Sequence, residues 1–257
     1  MRKYIQNLQV VNKQILSEEY YLLELKSLQS LPEILPGQFA EIAITGSATF
    51  LRRPLSIHDV DYDRNTISFL VQIVGKGTKY LANIEPGKFL NVIFPLGKGF
   101  GLINNLEKAL LVGGGCGIAP LLYLARHLYN KGVSISTLIG VRSSMQFIEV
   151  DKYKLYGKVL ITTEDGSEGT TGFVVNHPVF EQLSQFKKIY TCGPDVMMKA
   201  IAKKAIASGV DCEVSLENSM ACGIGACLCC VTETIEGNKC VCTEGPVFNI
   251  KYLKWQI

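Results

Sequence analysis

The residues best suited to chemistry are the cysteines between positions 222 and 242. Cys222, Cys227 and Cys230 stand at C-x4-C-x2-C spacing, and Cys242 follows a dozen residues later. Four thiolates in that order match the ligand pattern of a [2Fe–2S] cluster. A small iron–sulfur core needs its sulfurs to converge from a tight loop. Gly223 and Gly225 let the chain bend sharply there, and Ala221 and Ala226 keep the loop wall slim. The spacing predicts a one-electron carrier. Cys230 is preferred to its neighbour Cys229 because two intervening residues are required. Cys240 and Cys242 flank Val241, and spacing alone does not choose between them.

Two other readings of the same thiols are weaker. A structural zinc site also uses four cysteines but favours two separated C-x2-C pairs, whereas three ligands here crowd into nine residues. A disulfide framework fits poorly, because the cysteines number nine and the chain is far longer than disulfide-stapled small domains. The opening run from Met1 to Asn7 lacks the apolar stretch of a secretory signal, so reduced thiols and a cytoplasmic setting are expected. Cys116, Cys192 and Cys212 are expected to behave as small hydrophobes.

Three further motifs suit nucleotide chemistry. Gly113, Gly114 and Gly115 open the run Gly-Gly-Gly-Cys-Gly-Ile-Ala-Pro120, where glycines let backbone approach a pyrophosphate at a helix N-terminus. The run is not a strict G-x-G-x-x-G, no ribose-binding acid can be placed, and a plain glycine-rich turn reads equally well. Arg53, Pro54, Leu55 and Ser56 end a strand-like run, and Gly75-Lys76-Gly77-Thr78 opens a short helix. The arginine suits a phosphate as a bidentate donor, Ser56 a flavin ring nitrogen, and Gly77 with Thr78 a second phosphate oxygen through amides and a hydroxyl. Taken singly, each is also an ordinary strand end or turn. His58, His127 and His177 are scattered, without the pairing a general base needs, and read as structural or solvated.

These motifs need a scaffold, and the chain changes rhythm to provide one. Up to about residue 100, β-branched and apolar runs recur at 8–15, 20–25, 38–44, 66–74 and 89–94, separated by turns such as Pro36-Gly37 and Pro86-Gly87. That pattern predicts an antiparallel barrel or sandwich, with one helix over 78–84. From about 108, strands at 109–112, 133–141, 158–162 and 188–191 alternate with helices at 120–129 and 195–208, the second ended by Gly209. This βαβ rhythm predicts a parallel sheet with nucleotide-binding capacity. The segment from 211 holds too few apolar residues for its own core and is expected to drape over the rest. The expected units are therefore 1–101 for a flavin barrel, 102–210 for an α/β nucleotide domain and 211–257 for the cluster.

Composition sets outer bounds. A 257-residue chain with 47% apolar and 19% charged residues describes a well-cored protein of one large or several small domains. Its net charge of +3 gives no argument for nucleic acid or a membrane surface as partner. The longest uncharged stretch, 109–125, is short of a membrane span and broken by glycines.

The order barrel, R-P-x-S, G-x-G-T, glycine-rich turn, then Cys192-Gly193-Pro194 resembles the ferredoxin–NADP reductase superfamily. That resemblance implies FAD held by Arg53 and Ser56, NAD in the α/β domain, and Cys192 approaching the nicotinamide. Leu55 stands where the superfamily places a ring-stacking tyrosine, so apolar contact replaces aromatic stacking. Leu70, Val71 and Gln72 are implied to line the FAD, and residues 163–167 (Thr-Glu-Asp-Gly-Ser) the nucleotide side. With the cysteine loop added, the whole chain resembles the electron-transfer subunits of class 1B dihydroorotate dehydrogenase, most closely at 217–227 and 242–248. The second match selects Cys242 as fourth ligand.

The family implies a partner that holds FMN and oxidises dihydroorotate to orotate in pyrimidine biosynthesis. It also implies a two-plus-two heterotetramer with electrons passing from FMN through the cluster and FAD to NAD. No catalytic side chain is assigned to this chain, and the tail 247–257 with Trp255 is expected to help meet the partner. A reductase subunit with the same cofactors and a different partner is the alternative, and a zinc-stabilised binding module is the non-enzymatic one. Arg142 and Ser143, after a strand, either meet a 2′-phosphate or cap a turn, which leaves NAD and NADP undivided.

Overall fold

A computed structural model describes residues 2–45 and 49–255, so the last two residues of the tail expected to meet a partner lie outside it. The first layer is built from β1 (Tyr4–Ile15), β2 (Tyr20–Lys26), β3 (Phe39–Ile42), β4 (Arg53–Ser56), β5 (Asp59–Asp61), β6 (Thr66–Gln72), helix α1 (Lys76–Ala82) and β7 (Phe89–Leu96). The strands form one antiparallel sheet in the order β4-β3-β7-β1-β2-β6-β5. Its two edge strands are consecutive in the chain, joined only by Ile57 and His58. The Ile57 amide donates to Gln38 O and the His58 amide to Ser68 O, at 3.0 and 2.9 Å, so the ladder continues across the seam and the sheet closes. Alternate side chains, among them Leu8, Val10, Tyr21, Leu23, Leu25, Ile67, Phe69 and Val71, fill the interior.

Two expectations change here. The Arg53-Pro-Leu-Ser motif does not end a longer strand; it is a four-residue strand of its own, opposite β3. The helix begins at Lys76 rather than Thr78, because the Thr78 hydroxyl accepts from the Val74 and Gly75 amides at 3.0 and 3.2 Å and closes the first turn.

The second layer runs β8 (Lys108–Gly114), α2 (Leu121–Asn130), β9 (Ser134–Val141), α3 (Val150–Lys154), β10 (Lys158–Thr163), β11 (Thr170–Thr171), β12 (Lys188–Cys192), α4 (Asp195–Ser208) and β13 (Asp211–Ser215). Helix α4 ends on Gly209 at φ +68°, a left-handed cap that suits glycine. The chain closes with the hairpin β14 (Val231–Thr234) and β15 (Gly237–Cys240), the short helix α5 (Val241–Glu244) and β16 (Val247–Asn249). The second sheet has the order β11-β10-β9-β8-β12-β13-β16, parallel except for the last pair. Its strand order reverses between β8 and β12, which opens a crevice at their C-terminal ends.

The segment from 211 does more than drape. It lends β13 and β16 to this sheet, and Cys230, Val241, Cys242, Phe248 and Leu253 join a core that also holds Phe39 and Leu96 of the barrel. Too few apolar residues for a separate core are enough when the core is shared.

Barrel and sheet are tied by a buried charge group. Lys188 Nζ reaches Glu213 Oε1 at 2.8 Å and Asp211 Oδ2 at 3.3 Å, and Glu213 Oε2 accepts the Gly101 amide at 2.8 Å. Phe100 meets Tyr190 edge-on beside it, with centroids 5.5 Å apart. Breaking such a pair leaves one charge uncompensated. Lys188→Met is therefore expected to cost about 3 kcal/mol in urea unfolding, with the Lys188→Met/Glu213→Leu double variant recovering part of it. A single variant no worse than the double would show that the pair is not coupled.

Candidate redox site

Local backbone geometry shapes the cysteine loop. Gly223 and Gly225 take φ of +65° and +85°, and Leu228 takes +56°, a left-handed conformation that disfavours leucine by about 1–2 kcal/mol. The Cys222 sulfur accepts from the Ile224 and Cys227 amides at 3.5 and 3.4 Å, and the Cys230 sulfur from the Cys242 amide at 3.3 Å. The four thiols thus stand as two pairs, 222 with 227 and 230 with 242. Burial pushes the Cys222 thiol up, but the Ile224 and Cys227 amides outweigh it and bring it down to about 6, favouring thiolate. Cys230 and Cys242 are buried in the shared core, while Cys227 is exposed. Of the two spare thiols, Cys229 is exposed and Cys240 half-buried. Among the described residues no three His, Cys, Asp or Glu side chains converge on a point that would hold one metal ion. Paired thiols with donated amides are a donor set suited to a binuclear iron–sulfur core.

The loop touches the barrel at a residue the sequence reading passed over. A Cβ at Gly223 would stand 2.7 Å from Glu41 Cγ. Glu41 lies on β3, is fully buried, and neither carboxylate oxygen has a hydrogen-bond partner. Burial pushes its carboxyl up to about 7, against the pull of Arg52. The available signal was an acid inside the otherwise apolar run 39–44. Arg52 itself is spent on the scaffold, donating to the Asn91 carbonyl and side chain at 3.0 and 2.6 Å.

On the next strand, Arg53 packs over Gly77, where a Cβ would come within 2.8 Å of Arg53 Cδ. Its Nη2 donates to Leu51 O at 2.8 Å, but its Nε is buried without a partner. A buried, unpaired guanidinium donor beside a helix start is suited to a phosphate oxygen. Pro54, Leu55 and Ser56 are half-buried along β4, with Leu55 resting against the barrel core. Leu70 and Gln72 share one face of β6 while Val71 points into the barrel interior, so only the backbone of Val71 is available to a ligand. Thr78 is likewise limited to its main chain, since its hydroxyl closes α1.

The crevice of the second sheet gathers the remaining motifs. Gly113 sits level with Cys192 across the β8–β12 pair. A 3₁₀ turn at Gly115–Ile118 follows, and a Cβ at Gly117 would lie 2.2 Å from Cys192 O. Only glycine permits that approach. Gly193, at φ +150°, and Pro194 pass beside Gly114. The Cys192 thiol is fully buried and held well above the usual thiol range by that burial, and it donates to Glu217 Oε1 at 3.6 Å. Turns 142–146 and 163–167 line the next part of the crevice, joined where the Ser144 amide donates to Ser167 Oγ at 2.8 Å. His127 and His177 lie on α2 and beside Val179, apart from this crevice.

Comparison with known proteins bears on each layer. Residues 7–100 match the family described as oxidoreductase FAD-binding domain, 111–203 the oxidoreductase NAD-binding domain, and 217–254 the iron–sulfur cluster binding domain of dihydroorotate dehydrogenase B. FAD, NAD and an iron–sulfur cluster are thus the cofactors of this chain. The chain is 40% identical over 223 residues to the "dihydroorotate dehydrogenase B (NAD(+)), electron transfer subunit" of Fusobacterium nucleatum, covering 83% of this chain and 84% of that one. The subunit of the same name from Bacillus cereus is 38% identical over 261 residues, covering 95% and 96%. Among solved structures, a chain of an NADH-dependent reduced ferredoxin-NADP oxidoreductase superposes with a TM-score of 0.85 at 32% identity, covering 96% and 90%. A ferredoxin reductase of carbazole 1,9a-dioxygenase, at 21% identity and a TM-score of 0.72, shares the fold.

The unpaired Glu41 carboxyl has a measurable consequence. Its raised value means the folded chain holds this proton more tightly than the unfolded one, so stability falls as pH rises from about 4.5 to about 7. Glu41→Gln removes that slope. The variant is expected to gain about 2 kcal/mol on the parent between pH 5 and pH 8 in urea unfolding. A difference independent of pH would show that the carboxylate is compensated.

Proposed function

The chain belongs to the family of electron-transfer subunits of dihydroorotate dehydrogenase B, and on that premise we propose that it links NAD to an FMN-bearing catalytic subunit that oxidises dihydroorotate to orotate in pyrimidine biosynthesis. The observation that carries this reading is the convergence of three sites in one chain: paired thiols, an unpaired buried arginine donor, and a glycine-lined crevice at a strand-order reversal. Bound FAD and a [2Fe–2S] cluster would supply the chemistry that side chains lack, namely exchange of one hydride, an electron pair with its proton, with NAD and relay of single electrons to or from the partner. No side chain of this chain is assigned as a catalytic acid or base.

The protein's task is to hold and orient. In this reading Cys222 and Cys227 hold one iron, and Cys230 and Cys242 the other. Arg53 and the Gly77 amide take the flavin phosphates. Pro54, Leu55, Ser56, Leu70 and Gln72 line the flavin, with Val71 and Thr78 contributing backbone. Gly113, Gly114 and Gly115 take the nucleotide phosphates, and Cys192, Gly193 and Pro194 border the nicotinamide.

Residues 1–101 serve the flavin, 102–210 the nucleotide and 211–257 the cluster, the last unit lending two strands to the second. Two such chains join two catalytic subunits in the cytoplasm. Among the described residues no helix is long and apolar enough to cross a membrane. A second reading, a subunit that serves a ferredoxin-linked reductase instead, is favoured by the 32% identical solved chain.

Cluster assembly tests the ligand set. Serine at Cys222, Cys227, Cys230 or Cys242 is expected to abolish bound iron, whereas Cys229→Ser and Cys240→Ser retain it, as counted by iron per protein. Full iron in Cys242→Ser, or none in Cys240→Ser, would overturn the assignment.

The isolated chain is expected to reduce artificial acceptors with NADH and to leave dihydroorotate untouched until the catalytic subunit is added. Dihydroorotate turnover by the chain alone would sink the division of labour. Activity restored by ferredoxin but by no dihydroorotate-oxidising partner would establish the second reading.

A further inference from the structure

The bonds around His58 are not ones a neutral histidine satisfies. Its side chain is 1% exposed. Nδ1 lies 2.8 Å from the Ala119 carbonyl oxygen, and Nε2 lies 2.7 Å from Glu149 Oε2. Carbonyls and carboxylates only accept. A neutral imidazole has one N–H and one bare lone pair, so either tautomer presses a lone pair against an oxygen. The doubly protonated ring donates at both ends.

Glu149 is prepared for that partner. Its side chain is 4% exposed, and Lys152 Nζ holds the other carboxylate oxygen. Burial pushes the Glu149 carboxyl up, but its bonds to His58 and Lys152 outweigh this and hold it below the ordinary range. The backbone of Glu149 takes φ +53°, a conformation uncommon for a residue with a side chain. Strain of this kind persists where the surroundings over-determine it, and it gathers at functional sites.

What the pair grips is the nucleotide turn. Ala119 lies in the run Gly113–Pro120, and Pro120 caps α2 without any side-chain bond. The His58 carbonyl closes that helix end instead, accepting the Tyr123 amide at 3.1 Å. That amide belongs to the first turn and has no partner inside the helix. Tyr153 OH donates to Ile118 O at 2.6 Å on the neighbouring residue. His58 follows the flavin-side strand β4 by two residues, so its ring and its backbone both clamp the barrel to the turn.

We infer that His58, bonded at once to the Ala119 carbonyl and to Glu149, is a positioning residue that sets the orientation of the Gly113–Pro120 turn against the barrel, and through it the affinity for the pyridine nucleotide. The inference rests on the reading that this turn takes NAD. The charged groups around the ring are Glu149 and Lys152 at α3, Asp59 on β5 and Arg126 on α2. Arg126 pairs with Asp59 at 2.8 Å, which leaves Glu149 as the ring's own counterion. Losing either ring bond frees the turn from the barrel, so nucleotide affinity is expected to depend on both.

The test uses the FAD- and cluster-loaded chain, with NAD+ binding followed by titration calorimetry and NADH-dependent ferricyanide reduction followed by steady-state kinetics. Asparagine at 58 places an amide nitrogen near the position of Nδ1 and keeps the bond to Ala119. His58→Ala is expected to raise Kd for NAD+ and KM for NADH about tenfold, with kcat and flavin content within about twofold of the parent. His58→Asn is expected to return Kd to within about threefold of the parent. Glu149→Gln removes the carboxylate that holds Nε2 and is expected to raise Kd for NAD+ about threefold.

Unchanged Kd in a flavin-replete His58→Ala would overturn the inference. So would failure of His58→Asn to restore binding, or parallel losses of kcat, flavin and Kd, which mark general damage. Should His58→Ala not fold, the near-isosteric His58→Asn and Glu149→Gln decide the matter by the same criteria. A parent chain that binds no NAD+ would instead overturn the nucleotide reading and the inference with it.

Discussion

The pairing of β8 with β12 is the contact on which the rest of the molecule depends. Strand order reverses there, and Gly113 and Cys192 arrive level with each other. The 3₁₀ turn after β8 lies so close to the end of β12 that any side chain at Gly117 would collide with the Cys192 carbonyl. That approach fixes the path of 113–120, and so fixes where α2 starts. Through α2 and its clamp to His58, it also fixes how the barrel sits on the sheet. A crevice, an interdomain angle and a helix start all descend from one backbone contact.

The C-terminal segment shows how a small unit without a core of its own becomes rigid. It gives one strand to each side of its own loop, β13 before the cysteines and β16 after them, and these pair antiparallel. The loop is thereby anchored at both ends in a sheet built by other residues. Cys230 and Cys242, which flank the β14–β15 hairpin, are buried, while Cys222 and Cys227, on the glycine-bent part, are half-buried and exposed. The bend in turn presses Gly223 against Glu41 of the barrel, placing the thiols next to the strands that carry the flavin-side motif. The placement of the thiols beside β3 and its neighbour β4 follows from the packing of a tail.

Buried charge marks the joints. His58 with Glu149 and Arg126 with Asp59 join elements from different layers, while Lys188 with Glu213 and Asp211 joins adjacent strands of the second sheet, where Glu213 also holds the Gly101 amide. Such groups contribute less net stability than apolar packing but penalise wrong arrangements, since displacement leaves a charge without a partner. Glu41 departs from the rule, a carboxylate buried without a donor where barrel and cysteine loop meet.

The amino-acid sequence by itself determined what depends on neighbours along the chain. The C-x4-C-x2-C spacing reports thiols that lie within nine residues of one another, and the structure joins them through amides of the same loop. The helix 195–208 and its Gly209 cap, the β-branched runs of the barrel and the βαβ rhythm are likewise set by local periodicity and turn chemistry. Tertiary structure alone decided what depends on distant partners. Whether β4 stands as a separate strand is settled by its ladder to β3, not by its own composition. Whether the tail drapes or joins a sheet is settled by β12, which offers an edge to β13. Glu41 reads from sequence as one acid in an apolar run; the loop that packs against its buried side chain lies more than 180 residues away. His58 reads as a lone histidine because its two acceptors lie 61 and 91 residues downstream, and no local pattern encodes a bond closed only when two layers meet.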